Sequence, residues 1–296
     1  MTRKNLKSLL ASEDTVFAPG AWDGLSALLI QDAGFKALTS SGFAVSASLG
    51  MPDAELYTMT ENLEAVRRMA YVTDIPIIAD IDTGYGNAVN VMRTVREFEA
   101  AGAAAIFMED QLAPKRCPIC VGDPLPVIPR AEAVGKIKAA VDARRNSDTI
   151  IIARCDSHGA DAMERTIAYA EAGADMIMPV TKTFDTIEQF KACHDATGLP
   201  LVLSLTPSTW VERDFTPEQL KYVGCKIALL PLQVLYAGIT GMRKTLTDLA
   251  ANPYAPASTA DHIRHHDFVK VIGFPEIEEL QTKYMPATLE EPATAG

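Results

Sequence analysis

The chain has 296 residues, 48% hydrophobic and 22% charged, with a formal net charge of −11. That composition supplies a sizeable core and fits two ordinary domains or one α/β barrel of about 250 residues with an extension. The acidic balance argues against a nucleic-acid binder, which needs a basic face, but leaves room for a local cationic pocket. No stretch reaches the roughly 18 apolar residues of a membrane span, so no membrane partner is expected. The N-terminus lacks the pattern of a signal peptide, and five cysteines without such a leader point to a reduced, cytoplasmic protein.

In chain order, a short amphipathic helix is expected from Lys4 to Ser12, followed by a regular β–α rhythm. Strands are expected over 15–19, 37–41, 76–82, 104–110, 149–156, 176–180, 201–205 and 225–231. Helical periodicity fills 23–33, 60–72, 88–101, 130–144, 161–172, 184–197, 216–223 and 232–250. The phrases DAGFKA, EAAGAAA and EAGADM repeat one grammar: a helix end, a glycine near its C-cap, then an apolar strand. Eight such units predict a (β/α)₈ TIM barrel, an α/β fold, over residues 1–251. A doubly wound open sheet is the alternative, but no GxGxxG follows the first strand. NPYAPAS (252–258) reads as a linker. Residues 259–284 carry a further amphipathic helical pattern, and the tail beyond looks disordered, so 252–296 is expected to be a C-terminal extension. Its apolar positions, among them Phe268, Phe274, Ile277 and Leu280, would cover either a neighbouring subunit or the chain's own barrel.

Barrel active sites lie where the strands end. The third strand closes on PIIADIDTGYGN, where Asp80 and Asp82 stand two residues apart and therefore on one face of an extended strand. Two close carboxylates repel unless a cation or proton lies between them, and hard divalent cations prefer such oxygen ligands. The other strands end in Trp22 and Asp23, in Ser40, Ser41 and Gly42, in Glu109, Asp110 and Gln111, in Arg154 and Asp156, in Pro179 and Val180, and in Ser204 and Thr206. So many acids on one rim need a cation. One arginine among them suits a substrate carboxylate held by paired hydrogen bonds.

After the fourth strand a long loop, QLAPKRCPICVGDPLPVIPR, has the length of a lid. It carries Lys115, Arg116, Cys117 and Cys120. Beside two cations the Cys117 thiol is expected to have a lowered pKa and to serve as acid, base or nucleophile. The CxxC could also be half a zinc site or a redox pair, although no second CxxC or histidine pair lies nearby in sequence.

The phrases PGAWDGLSA (19–27), SSG with SASLGMPD (40–53), ADIDTGYGN (79–87), MEDQLAPKRC (108–117) and IIARCD (151–156) together resemble the isocitrate lyase/phosphoenolpyruvate mutase superfamily, in particular its 2-methylisocitrate lyase-like and dimethylmalate lyase-like branch. The resemblance implies a barrel whose eighth helix is exchanged between subunits of a homotetramer. It implies Mg²⁺, with Mn²⁺ as the alternative, at Asp80 and Asp82. It implies Ser40, Ser41, Gly42 and Arg154 as substrate contacts and Glu109 in support of the metal site; with the strand ends and the lid, Cys117, Lys115, Arg154 and Glu109 are expected to be catalytic and Trp22, Asp53, Ser204 and Thr206 to join the substrate contacts. Cys117 would be the acid–base group at the carbanion end of the product. The implied reaction is Mg²⁺-dependent retro-aldol cleavage of a 2-hydroxy di- or tricarboxylate-like acid to a 2-oxo acid and a second carboxylate. Decarboxylation of a β-oxo acid, phosphonate P–C chemistry and a non-catalytic binding role are the alternatives. The chain departs from the family pattern in reading KRCPIC for KRCGH, Cys155 for a threonine, Val180 for a glutamate and LSLTPS in the seventh strand. These changes favour a smaller or more apolar substrate than a tricarboxylate.

Overall fold

The computed structural model describes residues 5–121, 125–180, 183–205, 215–254 and 262–285. Two compact units divide at residue 240. In the first, α1 (Leu6–Ser12) precedes β1 (Val16–Ala21), α2 (Gly24–Asp32), β2 (Leu38–Ser40), α3 (Gly42–Ser48), α4 (Met59–Val72), β3 (Ile77–Asp80), α5 (Ala88–Ala101) and β4 (Ala103–Glu109). Then come α6 (Arg130–Ala143), β5 (Ile150–Cys155), α7 (Gly159–Glu171), β6 (Met176–Pro179), α8 (Ile187–Thr197), β7 (Leu201–Ser204), α9 (Pro217–Tyr222) and β8 (Cys225–Leu230). The eight strands pair in parallel in sequence order and β8 returns to β1, closing a TIM barrel. The unit boundary falls within α10 (Gln233–Ala251), and the second unit continues with α11 (His265–Val271) and α12 (Phe274–Tyr284). No described helix is long and apolar enough to cross a membrane.

Strand alternation sorts the core into two layers. Ile77, Ala79, Ile106, Met108, Ile151 and Ala153 face the helices and pack with Val66, Val95, Phe98 and Ile137. Ile78, Phe107, Ile152, Met178, Val202 and Leu229 take the other parity and fill the barrel interior. The same parity carries Asp80, Glu109, Arg154 and Ser204 into the next layer, at the mouth. Strand register sets Asp80 beside Phe107, Glu109 beside Arg154, and Ser204 beside Leu229.

Local chemistry fixes where helices start. Asp23, Thr58, Asn87, Thr186 and Thr216 each close a reciprocal capping box with the third residue of the helix that follows. The sequence pattern held one surprise at this level. α3 follows β2 directly, with the Ser41 hydroxyl accepting from the Ala44 amide. Its residues, FAVSAS after Gly42, are small and β-branched enough to leave no strong helical period.

Candidate active site

Asp80 closes β3, but Asp82 does not continue the strand; its φ is +49°. The two acids meet because the chain turns, not because of a period of two. The turn folds the Asp82 amide back onto Asp80 Oδ1 at 3.0 Å, while the Gly42 amide donates to Asp80 Oδ2 at 3.2 Å. A Cβ on Gly42 would stand 2.8 Å from Asp80 Oδ2 and 3.1 Å from Asp82 Oδ1, so no other residue fits between these carboxylates and the start of α3. Asp82 Oδ2 accepts from the hydroxyls of Tyr57 at 2.6 Å and Tyr85 at 3.0 Å. Asn62 donates to the Asp80 carbonyl at 2.7 Å and to the Tyr85 hydroxyl at 2.8 Å.

The long loop after β4 leaves and re-enters along one short antiparallel contact, Gln111 with Val127. Its tip is latched. The Lys115 amide donates to the Glu55 carboxylate at 2.9 Å, and the Cys117 amide to the Asp53 carbonyl at 3.1 Å. Lys115 is thereby delivered into the mouth, its side chain 2% exposed, with its ammonium 2.6 Å from Asp82, 2.9 Å from Asp53 and 3.9 Å from Glu109. On the other side Arg154 reaches Glu109 at 2.6 Å and clasps Asp156 through two hydrogen bonds of 2.9 and 2.8 Å. Behind it, the buried Asp110 accepts from the Asp156 amide at 2.8 Å, from the Tyr169 hydroxyl at 2.6 Å and from Arg165 at 3.3 Å. Asp110 is therefore a structural anchor of β5 and α7.

These contacts set the charges. Burial works against the Lys115 ammonium, but Asp82, Glu109, Asp53 and Asp80 outweigh it and hold the pKa well above the lysine value. Burial likewise opposes the Asp82 charge, but Lys115 and the two tyrosine hydroxyls keep its pKa low. Asp80 is pushed up to about 6 by burial and by Asp82, against the pull of Lys115 and Arg154. Glu109 is raised well above the usual carboxylate range, chiefly by burial. Cys117 reverses the expectation of an activated thiolate: its pKa lies well above the thiol value. Burial is the largest cause and Asp53 the next. The lysine two residues earlier is committed to carboxylates and lowers it only slightly. The thiol is protonated at neutral pH.

Ser41, Asp53, Asp80, Lys115, Cys117, Arg154 and Ser204 all line one cavity of about 620 Å³, its open mouth included. Its remaining wall is apolar, formed mainly by Phe43, Phe107, Ile119, Met178, Val180, Leu229 and Leu232. Ser40 is fully buried at the end of β2, and its hydroxyl has no hydrogen-bond partner. The Gly42 amide is taken by Asp80. Trp22 does not line the cavity and packs half-buried against the helix-side core. Thr206 lies outside the described residues. Sequence reasoning missed Glu55, Tyr57 and Asn62, whose partners are remote in the chain, and Tyr85, which donates to Asp82 three residues before it. Tyr85 sits at a φ of +58° between Gly84 and Gly86, which also have positive φ, and this glycine-flanked turn was the one local signal available.

Five buried carboxylates, Asp53, Asp80, Asp82, Glu109 and Asp156, share two cations. Oδ1 of Asp53, Oδ1 of Asp82 and both Glu109 oxygens accept no aligned hydrogen bond. A carboxylate offers about four acceptor positions, so Asp80 keeps two and Asp82 keeps one after its hydroxyls and the ammonium. This donor set fits a hard divalent cation. Among the described residues no three His, Cys, Asp or Glu side chains form a metal cluster. A Mg²⁺-like ion does not need one, because it usually keeps several waters and binds through one or two carboxylates. The same count leaves Cys117 and Cys120 without further zinc ligands among the described residues.

Residues 6–250 match the family model for phosphoenolpyruvate phosphomutase. The chain is 37% identical over 292 residues to 2,3-dimethylmalate lyase from Eubacterium barkeri, covering 96% of this chain and 98% of that protein. It is 38% identical over 278 residues to 2-methylisocitrate lyase from Aeropyrum pernix, covering 90% of this chain and 88% of the other. Among solved structures, a phosphonopyruvate hydrolase complexed with oxalate and Mg²⁺ superposes with a TM-score of 0.83 at 31% identity, over 97% of this chain and 100% of that one.

Proposed function

The chain belongs to the phosphoenolpyruvate mutase/isocitrate lyase superfamily, and from that premise we propose that it is a Mg²⁺-dependent carbon–carbon lyase. It would cleave a 2-hydroxy dicarboxylate by retro-aldol chemistry into a 2-oxo acid and a second carboxylate. The observation that carries this reading is the joint lining of one cavity by Asp80, Lys115, Arg154 and a protonated Cys117. Asp80 and Asp82 would hold the metal, which when bound supplies Lewis-acid polarisation of the oxygen that becomes the carbonyl. Arg154 spends two N–H groups on Asp156 and faces Glu109 at 2.6 Å as an ion pair, and a guanidinium has five N–H groups, so at least two remain for a substrate carboxylate. Asp156 and Glu109 fix the plane in which those two point. Asp53, the cavity-lining carboxylate not assigned to the metal, is placed to take the hydroxyl proton. As the C–C bond breaks, negative charge moves onto the departing enolate, where the fixed charges of Lys115 and Arg154 stabilise it. The Cys117 S–H delivers the proton to its carbon. A thiol that burial keeps protonated is suited to this acid role, for which an activated thiolate would be useless.

The far wall supports the choice of substrate. Phe107, Met178, Val180 and Leu229 offer no partner to a third carboxylate, and burying one unpaired there would cost several kcal/mol. A 2-hydroxy dicarboxylate bearing a short alkyl group is therefore favoured over a tricarboxylate. We further propose a homotetramer, supported by the apolar residues exposed on α12, and a cytoplasmic setting, supported by five free cysteines. A screen of 2-hydroxy di- and tricarboxylates with Mg²⁺ tests the reading. Release of a 2-oxo acid from an alkyl-substituted dicarboxylate is expected. Release from none of them, or fastest release from a tricarboxylate, defeats it.

A further inference from the structure

Cys120 plays no part in the chemistry above, yet it is coupled to the residue that does. The Cys120 amide donates to the Cys117 carbonyl at 3.0 Å, and the Val121 amide to the same carbonyl at 3.2 Å. A four-residue turn closed in this way holds its end Cα atoms within about 7 Å, and disulfides bridge Cα atoms about 4.4–6.8 Å apart. Pro118 at the second position fixes φ for the turn and limits the alternatives open to it. Cys120 lies near enough to Cys117 to add to the upward push on its pKa, behind burial and Asp53. Their surroundings differ: Cys117 is 5% exposed and lines the cavity, whereas Cys120 is exposed. The remaining three cysteines, Cys155, Cys193 and Cys225, are buried within β5, α8 and β8.

We propose that Cys117 and Cys120 form a redox modification site, closing as an intramolecular disulfide that withdraws the Cys117 thiol from the active-site cavity when a low-molecular-weight disulfide is in excess over its thiol. Cys120 is the point of entry, since it is open to solvent while burial keeps Cys117 as the unreactive thiol. The Cys120 thiolate attacks the disulfide RSSR, forms the mixed disulfide and releases one thiolate. The RS⁻ released in that step takes the Cys117 proton, the Cys117 thiolate attacks the Cys120 sulfur, a new S–S bond forms, and the second RS⁻ leaves and is protonated by water. Two protein thiols are oxidised to one disulfide while one RSSR is reduced to two RSH. In the oxidised form no S–H is left to protonate the enolate. That consequence for turnover rests on the acid role proposed for Cys117; the modification itself does not.

The test uses the full chain with Mg²⁺, equilibrated in glutathione buffers from fully reduced to fully oxidised. Thiols are trapped with N-ethylmaleimide and the lid peptide is mapped by mass. The expected result is a lid peptide carrying neither alkyl group nor glutathione in the oxidised buffers. Release of 2-oxo acid should fall in parallel by roughly 10²-fold or more, as loss of a general acid would cause, and dithiothreitol should restore it. Cys120→Ser should form no internal disulfide and keep its turnover throughout. Two free thiols in every buffer, or glutathione held on Cys120 with no internal bond, would overturn the proposal and leave the acid role untouched. A fully formed disulfide with unchanged turnover would overturn the switch by removing Cys117 from the chemistry.

Discussion

Lys115 brings its ammonium into a pocket walled by Asp53, Asp82 and Glu109, with 2% of its side chain exposed. Removing one partner of a buried ion pair strands the others, which typically costs about 3–5 kcal/mol. Lys115→Met is therefore expected to lower the stability of the barrel by that order, read as a lower midpoint in urea, and to abolish turnover as well. Cys117→Ser replaces the thiol by a hydroxyl of similar size but puts a much weaker acid at the position proposed to protonate the enolate. Turnover should fall by about 10²-fold or more, while the Mg²⁺-induced rise in melting temperature stays at the wild-type value. A loss of the Mg²⁺ response together with turnover would show that Cys117 shapes the metal site instead. Reading the sequence alone, the cations next to Cys117 pointed to a thiolate; only the fold shows that Lys115 turns away to three carboxylates and that burial decides the outcome.

At the scale of elements, Glu55 ties three segments together. Its carboxylate accepts from the Lys115 amide at 2.9 Å and from the Thr83 hydroxyl, and its own backbone is held at a φ of +55°. The lid thus rests on the loop before α4 and on the turn after β3. Glu55→Ala removes both acceptors, so the amides of Lys115 and Cys117 should exchange with solvent markedly faster. KM should rise more than kcat falls, because the catalytic groups remain but their closed arrangement is less populated. Unchanged exchange at these two amides would mean that the Cys117–Asp53 contact alone holds the lid. The eight strands were legible in the sequence because each is a largely buried apolar run, and most are bounded by a capping signal or a helix-ending glycine, all local features. Asp80, Glu109 and Arg154 were legible as strand ends. Glu55, Tyr57 and Asn62 were not, since what makes them matter is contact across 60, 25 and 18 residues of chain, whereas Tyr85 reaches Asp82 only three residues away, through the same turn that the strand reading did not foresee. Asp82 was assigned correctly to Asp80's neighbourhood by an argument the structure replaces, a strand period where the chain in fact turns.

For the molecule as a whole, an unbalanced charge buried in the barrel mouth opposes folding, and any ligand that balances it shifts the equilibrium toward the native state. Mg²⁺ at 100 times its dissociation constant should contribute about 2.7 kcal/mol, raising the melting temperature by several degrees; Asp82→Ala should abolish that rise. Calorimetric scans with Mg²⁺ and with a chelator measure it, and an identical melting temperature in both would leave the acidic mouth without its cation. The C-terminal unit poses a different imbalance. On α12, Phe274 is 52% exposed, Ile277 50%, Leu280 43% and Tyr284 71%, and α10 adds Met242 at 58% and Leu246 at 63%. Side chains of this size on two helices amount to an apolar surface that soluble proteins usually cover. If a second copy covers it, truncation after residue 252 removes α11 and α12 but leaves all eight strands and α10 in place. The truncated chain should then sediment as a smaller species than the full chain while its far-ultraviolet circular dichroism still reports the barrel. An oligomer of undiminished order after truncation would mean that the extension does not hold the subunits together.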